Sequence, residues 1–180
     1  MFKKIVLISF GVFICNYSYS QSTENQFSLN ILMPSAEYEL ALGQNTSLDT
    51  SLGLGFAYHY SDFSDESEYG VYPNLKAQYR WYYNFAKRLD KGKKVSENSG
   101  NYVAGVVLLS SGEPLFGDME LRNDLSGFVG PAWGLQRVYN SNFKLNLNLG
   151  IGYGFNDHGD GYVSPLLDLQ LGFKLGKYLN

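Results

Sequence analysis

The sequence predicts an all-β fold, an eight-stranded antiparallel transmembrane β-barrel, on three observations. The chain opens on a short basic and apolar leader of the kind that exported proteins carry. Apolar residues then recur at every second position over long stretches, which is the side-chain period of a β-strand. The opposite face of these stretches carries small and polar residues, as the lumen of a narrow membrane barrel requires. The 180 residues correspond to a single domain.

Residues 1–20 are predicted to be a secretory signal peptide. Two lysines near the start precede the apolar run 5–15, and serines occupy the −3 and −1 positions before a cleavage site after Ser20. The apolar run is too short to span a membrane as a helix. We therefore expect residues 21–180 to form the outer-membrane barrel.

Composition narrows the possible functions. The only cysteine, Cys15, lies in the leader, so we expect no disulfide and no thiolate metal ligand in the mature chain. Loss of the two leader lysines takes the formal net charge from −3 to −5, which argues against a nucleic-acid partner. We expect no cofactor and no metal, because there is no glycine-rich phosphate loop, and two histidines without a cysteine do not suit zinc.

The alternating pattern is clearest over residues 143–155, where seven apolar side chains fall on one face and Lys, Asn and Gly on the other. The first hairpin is open to question, because Pro34-Ser35 is a poor hairpin turn, and a single kinked strand over 27–43 would give seven strands. Eight strands place both chain ends in the periplasm, whereas seven would not. We therefore expect eight strands. The predicted strands lie near 26–33, 36–43, 46–60, 70–85, 100–110, 125–139, 143–155 and 162–176.

Two architectures use strands of this kind, a soluble sandwich or calyx and a membrane barrel. A soluble sheet turns its polar face to water and its apolar face to a packed core. Here the polar face is mostly small residues, and the apolar face is leucine-rich with aromatic residues near the strand ends. We therefore predict a location in the cell outer membrane, with membrane lipids and lipopolysaccharide as partners.

The connections alternate in length. Short turns at 44–45 and 140–142 suit the periplasmic side, and longer polar stretches at 61–70, 111–124 and 156–161 suit the exterior. The longer stretches are rich in acidic residues, with Arg122 as their one base.

Two segments resemble a known family. One, Lys76 to Tyr102, reads KAQYRWYYNFAKRLDKGKKVSENSGNY, and the other, within Leu29 to Tyr58, reads PSAEYELALGQNTSL and then LGLGF. Together they resemble functionally uncharacterised small outer-membrane β-barrel proteins of diderm bacteria, of the OmpA and OmpX type. The resemblance implies an eight-stranded membrane barrel, insertion by the barrel-assembly machinery, and no catalytic residue. Many such barrels end in an aromatic residue, whereas this sequence ends in Asn180, so an assembly signal would be internal or absent.

Alternation also predicts a cluster of charges in the lumen. Four acids and four bases project inward and balance one another, and an eight-stranded barrel is just wide enough for side chains to fill. We expect a filled interior, with a narrow polar path gated by Arg80 and Glu39 as the alternative and no wide, porin-like pore. The eight residues are Glu37, Glu39, Asp49, Lys76, Arg80, Lys144, Asp168 and Lys174.

Three further features could carry chemistry. His59 and Ser61 resemble the His-x-Ser pair of an outer-membrane lipid A deacylase, but alternation turns both side chains to the lumen, away from lipid, and a strand-end histidine beside acids is the simpler explanation. The stretch 156–161 could offer oxygen ligands to a divalent cation but reads more simply as a turn. The basic segment 87–94 could touch acidic headgroups or peptidoglycan, or serve as a solvated turn.

These observations predict an integral outer-membrane barrel without catalysis, with a structural or surface-interaction role. The alternatives are a lipid-modifying hydrolase that uses His59 and Ser61, and a narrow channel. No ligand is predicted.

Overall fold

The structure is a computed structural model that describes residues 23–61 and 66–175, so the predicted signal peptide lies outside the described residues. Within them about two thirds of the residues are in β-strands, and the one helix is five residues long. Its elements are β1 (Gln26–Asn30), β2 (Ser35–Ala41), β3 (Thr46–Ser61), β4 (Glu66–Trp81), α1 (Phe85–Leu89), β5 (Asn101–Ser111), β6 (Phe116–Gly117), β7 (Leu125–Val138), β8 (Phe143–Asn156) and β9 (Gly161–Leu175). No helix among these residues is long and apolar enough to cross a membrane.

Eight of the strands form a closed ring in one antiparallel sheet. The order around the ring is β1, β2, β3, β4, β5, β7, β8 and β9, and β9 pairs with β1 to close it. The two-residue strand β6 pairs with Gly70 and Val71 of β4 and lies outside the ring. The predicted all-β class and the eight-strand count are confirmed.

The ring has two different ends. One end holds the turns 42–45 and 139–142 and the linker, residues 82–100; we call it the linker end. The opposite end holds the connections 112–124 and 157–160; we call it the loop end. β3 and β4 pair along sixteen residues each, whereas β1 and β2 have five and seven.

The predicted bounds of the early strands were wrong. β1 and β2 are separate strands, but β1 stops at Asn30, because a turn over 31–34 docks on the neighbouring strands. In that turn the carbonyl of Pro34 accepts a hydrogen bond of 2.9 Å from the backbone N–H of Leu54. β2 stops at Ala41, because the backbone N–H groups of Leu42 and Gly43 both bond to the carbonyl of Thr46 across the next turn.

The predicted strand 70–85 is displaced, since β4 runs from Glu66 to Trp81. Its polar residues 66–69 suggest a loop, but they pair with residues 58–61 of β3, and ladder hydrogen bonds do not depend on side-chain polarity. At the other end Tyr82 is buried and α1 begins at Phe85. The sequence pattern also missed β6.

Burial in the ring is reversed relative to a soluble sheet. The inner face is mostly polar and charged, and the large apolar side chains on the outer face are exposed. A small apolar cluster on the inside consists of Tyr82, Phe85, Val95, Tyr102, Ala104, Val106, Phe128 and Ala132.

Candidate functional site: the charged interior of the ring

The charged residues of the interior come from β2, β3, β4, β8 and β9. Because side chains alternate along each strand, residues two apart on one strand point to the same side. The structure brings all eight sequence-predicted residues to the inner face, and seven of them form ion pairs with one another. The seven are Glu37, Glu39, Asp49, Lys76, Arg80, Lys144 and Asp168.

Arg80 is the centre of the larger network. Its guanidinium donates to Asp49 Oδ2 at 2.8 Å and lies 3.5 Å from Glu39 Oε2 and 3.9 Å from Glu37 Oε1. Its guanidinium carbon also lies 4.8 Å from the centroid of the Tyr102 ring, a cation–π distance. The side chains of Arg80, Glu39 and Asp49 are fully buried, so this arginine pairs its carboxylates away from water.

Neutral donors complete the shells of the carboxylates. Three of them donate hydrogen bonds to the Glu39 carboxylate: the Tyr82 hydroxyl at 2.6 Å, the Gln26 amide at 2.6 Å and the Gln136 amide at 3.0 Å. Glu37 pairs with the ammonium group of Lys144. A buried carboxylate is tolerated only when such partners replace its hydration, and this network supplies them.

A second pair, Lys76 with Asp168, lies nearer the loop end. Asn148 donates to Asp168 Oδ2 at 3.2 Å. With its amide oriented to satisfy its neighbours, Gln170 accepts from Lys76 and donates to Glu37 Oε2 at 3.3 Å, which links the two groups. The Asp168 side chain keeps 16% of its exposure, because a cavity of about 260 Å³ adjoins it.

Lys174, the eighth predicted residue, pairs with a residue that the sequence pattern did not identify. Its ammonium lies 3.0 Å from Glu97 Oε1 of the linker, and Lys94 contacts the same carboxylate. Burial disfavours the charged form of Glu97, but these two ammonium groups outweigh it and hold the pKa of the carboxyl below its ordinary value. Glu97 lies outside the strands, so no alternation could point to it.

The interior also depends on uncharged residues that sequence reasoning missed. The Tyr102 hydroxyl bonds Asn146 at 2.8 Å and Asn148 at 2.7 Å, and Gln136 accepts from Arg80 at 3.0 Å. Gln78 accepts from Arg80 at 2.9 Å. Alternation places all of these residues on the inward faces of β4, β5, β7 and β8. They were missed because only charged side chains, and not amides and phenols, were counted as members of the network.

The linker folds across its end of the ring. The Tyr82 ring stacks on Phe85 with centroids 4.7 Å apart. Asn98 exchanges two hydrogen bonds with the backbone of Glu24, at 2.8 and 2.9 Å. Residues 95–100 of the linker are largely buried, whereas Lys87, Lys91 and Lys93 of the basic segment 87–94 are exposed, so both interpretations of that segment stay predictions.

The remaining candidates are not brought together with the interior network. His59 is exposed on β3 opposite Glu68, and the side chain of Ser61 lies outside the description, so the hydrolase hypothesis stays a prediction. The stretch 156–161 is a turn in which Asn156 Oδ1 accepts from the N–H groups of His158 and Asp160. Within residues 23–61 and 66–175, no group of three or more His, Cys, Asp or Glu could hold a metal ion.

The chain matches no protein-family model, no curated protein and no solved structure. The resemblance to small outer-membrane barrels therefore stays a prediction. What the protein does has to follow from the placement of its own residues.

Proposed function

We propose that this protein is an integral outer-membrane β-barrel without catalytic activity, with a structural or surface-interaction role. The observation that carries the proposal is the reversed burial. Outward side chains such as Phe56, Ile151 and Leu167 are 65%, 60% and 75% exposed, while Arg80 and Lys144 on the inside are fully buried. Contiguous apolar surface on this scale is unfavourable in water and is matched by hydrocarbon.

The height of the apolar band supports the same proposal. On β8 the outward residues from Phe143 to Tyr153 are all apolar or aromatic. Ten residue steps of ~3.4 Å at a tilt of ~40° span roughly 26 Å, close to the ~25 Å apolar band of outer-membrane barrels. Aromatic residues lie at both ends of this band, with Tyr139 packed on Phe143 at the linker end and Tyr153 at the loop end. This is the arrangement of interfacial girdles.

The packed interior supports a structural role rather than conduction. Gln78, Arg80, Gln136 and Lys144 are all fully buried across the lumen, and the linker covers one end. An eight-stranded ring is just wide enough for its side chains. We therefore expect the protein to be silent in planar bilayers at neutral pH, and a steady unit conductance would favour the narrow channel instead.

The loop end supports the surface-interaction part of the proposal. Its described connections carry more acid than base, with Arg122 as the counter-charge. Their acidic residues are Glu113, Asp118, Glu120, Asp124, Asp157 and Asp160.

The proposal is tested with an arginine on the outer face. Leu149 is outward and mid-band, and arginine there should cost about 2–4 kcal/mol in a bilayer. In a soluble protein the same partly exposed position would tolerate arginine with little loss. The measurement is urea unfolding of the protein in lipid vesicles, with heat-dependent gel mobility as the check on folding.

The matched control is Leu115→Arg, at a position 56% exposed in the loop-end connection and outside the band. We expect it to be near neutral. If Leu149→Arg is also neutral and the wild-type protein stays soluble without lipid, the membrane proposal fails.

A further inference from the structure

Among residues 23–61 and 66–175, the wall of the ring is incomplete toward the loop end. The β1–β2 hairpin ends in the turn 31–34, level with Gly53 of β3 and Leu171 of β9. β3 and β9 continue beyond it. Within the described chain, residues 55–59 pair only with β4 and residues 161–170 pair only with β8. The described strands therefore leave a gap between β3 and β9, which we call the side gap.

Backbone polar groups line both edges of the side gap. The N–H of Leu54 and the carbonyl of Leu171 point toward the hairpin, since they bond to Pro34 and Ile31. By alternation, Phe56 on β3 and Leu167 on β9 direct their backbone groups into the gap. Pro165 has no N–H to leave unpaired there, which suits an edge position.

The side gap lies beside the apolar band. Leu167 is level with Leu149 and Val163 with Tyr153, so the gap spans the half of the band nearer the loops. Unpaired strand edges do not face hydrocarbon unless they line a polar cavity, because each orphaned group costs several kcal/mol. An occupant that brings polar groups into the gap would remove this conflict.

Such a cavity lies directly behind the side gap, with a volume of about 260 Å³. Pro34, Leu54 and Leu167 form its mouth, and Leu108 and Leu166 form apolar walls. Its floor is polar and consists of Ser51, Lys76, Asp168 and Gln170. Lys76 is only 5% exposed and is held by Asp168, so the floor is built by the fold and not by mobile surface groups.

We propose that the side gap is a lateral portal for a single-chain amphiphile with an uncharged, hydrogen-bonding head, such as a monoacylglycerol. The head lies on the floor at Lys76, Asp168 and Gln170, the ester lies between Leu54 and Leu167 beside the backbone groups of the two edges, and the chain continues into the bilayer. This inference rests on the proposed membrane location.

Charge and size select this class of ligand. Lys76 and Asp168 neutralise each other, so the floor offers donors and acceptors without a net charge, and a charged head would have to break the pair. A cavity of about 260 Å³ is smaller than pockets that enclose whole drug-sized ligands, which begin near ~300 Å³. It holds a head group, while a long acyl chain has to extend out of the gap into the bilayer.

The test uses the protein in lipid nanodiscs that contain a monoacylglycerol with a photoreactive diazirine on its chain near the ester. Cross-links are located by mass spectrometry of peptides. We expect labelling to concentrate on the mouth and walls, at Leu54, Leu108, Leu166 and Leu167. Leu166→Trp, which fills the cavity, should lower this labelling about tenfold. Leu149→Trp, on the outer face, should leave it unchanged.

A second variant tests the floor. The pair Lys76→Met with Asp168→Leu removes both charges together, so no buried charge is left alone. It should lower labelling of the cavity by the monoacylglycerol about tenfold but leave labelling by a diazirine hydrocarbon without a head unchanged. Heat-dependent gel mobility identifies any variant that has not folded.

Two outcomes overturn the portal. In one, the monoacylglycerol labels the whole outer face evenly, including Leu149. In the other, a lysophosphatidic acid probe labels the cavity as strongly as the uncharged probe. If instead the protein does not enter nanodiscs and the headless hydrocarbon fails to label its outer face, the proposed membrane function itself fails.

Discussion

The two halves of the interior are built differently although one alternating pattern runs through both. At the linker end, Arg80, Glu39 and Asp49 form a fully buried network, and the linker covers it. Toward the loop end, the inward positions of β8 are Gly150, Gly152 and Gly154, and the wall between β3 and β9 is incomplete. The first half is closed by polar contacts, whereas the second half contains the cavity of about 260 Å³.

Steric crowding explains why β8 carries glycine at its inward positions in the second half. A Cβ atom at Gly152 would lie 2.4 Å from the carbonyl oxygen of Val129 and 2.8 Å from the ring of Phe128. The absent side chain therefore lets Phe128 lie across β8 inside the ring. Strand period therefore sets which face is inside, while the lengths of neighbouring strands decide whether the wall around that interior is complete.

The largest expected effect comes from breaking the closed half. Arg80→Met leaves Glu37, Glu39 and Asp49 with Lys144 as their remaining cation, and an uncompensated buried charge costs about 3–5 kcal/mol. The measurement is urea unfolding in detergent micelles followed by tryptophan fluorescence. Lys87→Met, at an exposed position of the linker, is the control. Equal stability of the two variants would contradict the central place of Arg80.

A smaller loss is expected when the second ion pair is broken. Lys76→Met leaves Asp168 unpaired, but the carboxylate keeps 16% of its exposure beside the cavity, and water can replace the ammonium. We expect a loss of about 1–2 kcal/mol, between exposed and buried pairs. The loss is measured by the same urea unfolding assay in detergent micelles. A loss as large as that of Arg80→Met would mean that the two halves are equally closed.

The linker contributes a pH-dependent contact of smaller size. Burial opposes ionisation of Glu97, but Lys94 and Lys174 hold its pKa below the ordinary value of 4.5. Its contribution is therefore complete above pH 4.5 and is lost as pH falls through the lowered value. Glu97→Gln should cost up to about 1 kcal/mol at pH 7, and the difference from wild type should vanish in acid. A difference in stability that does not shrink as the pH is lowered through and below 4.5 would contradict this contact.

The smallest effect is expected at the loop end. His158 donates from Nε2 to the carbonyl of Arg122 at 2.8 Å, and this bond, with Asp157 nearby, raises the pKa of the imidazole above 6.5. The contact is fully present below pH 6.5 and is lost as pH rises through the raised value. An NMR titration of the His158 ring should show a midpoint above 6.5, and Asp157→Asn should lower it. A midpoint at or below 6.5 would contradict the contact.

Much of the fold could be predicted because its information is local. Alternation over residues 143–155 assigns Lys144 to the inside and Leu149 to the outside without knowledge of the rest of the chain. The errors lie where a partner strand decides the outcome. Residues 66–69 form β4 because β3 lies beside them, and the β1–β2 hairpin stops early because Pro34 bonds Leu54.

The candidate site was predicted in part for the same reason. The eight inward charges lie on strands, so their side followed from parity, but the partner of each did not. Arg80 meets Asp49 across the β3–β4 pair, and Lys144 meets Glu37 across the ring at a separation of 107 residues. Glu97 lies in the linker, where no period applies, so its pairing with Lys174 had no signal in the sequence.

The sequence by itself determined the strand period, the apolar outer face and the balance of inward charges. These properties depend on neighbours one or two residues apart along the chain. Only the tertiary structure decided which charges pair, how the linker closes one end and where the side gap leads to a cavity. Those features depend on register and strand length, which bring together residues far apart in sequence, and no local pattern specifies them.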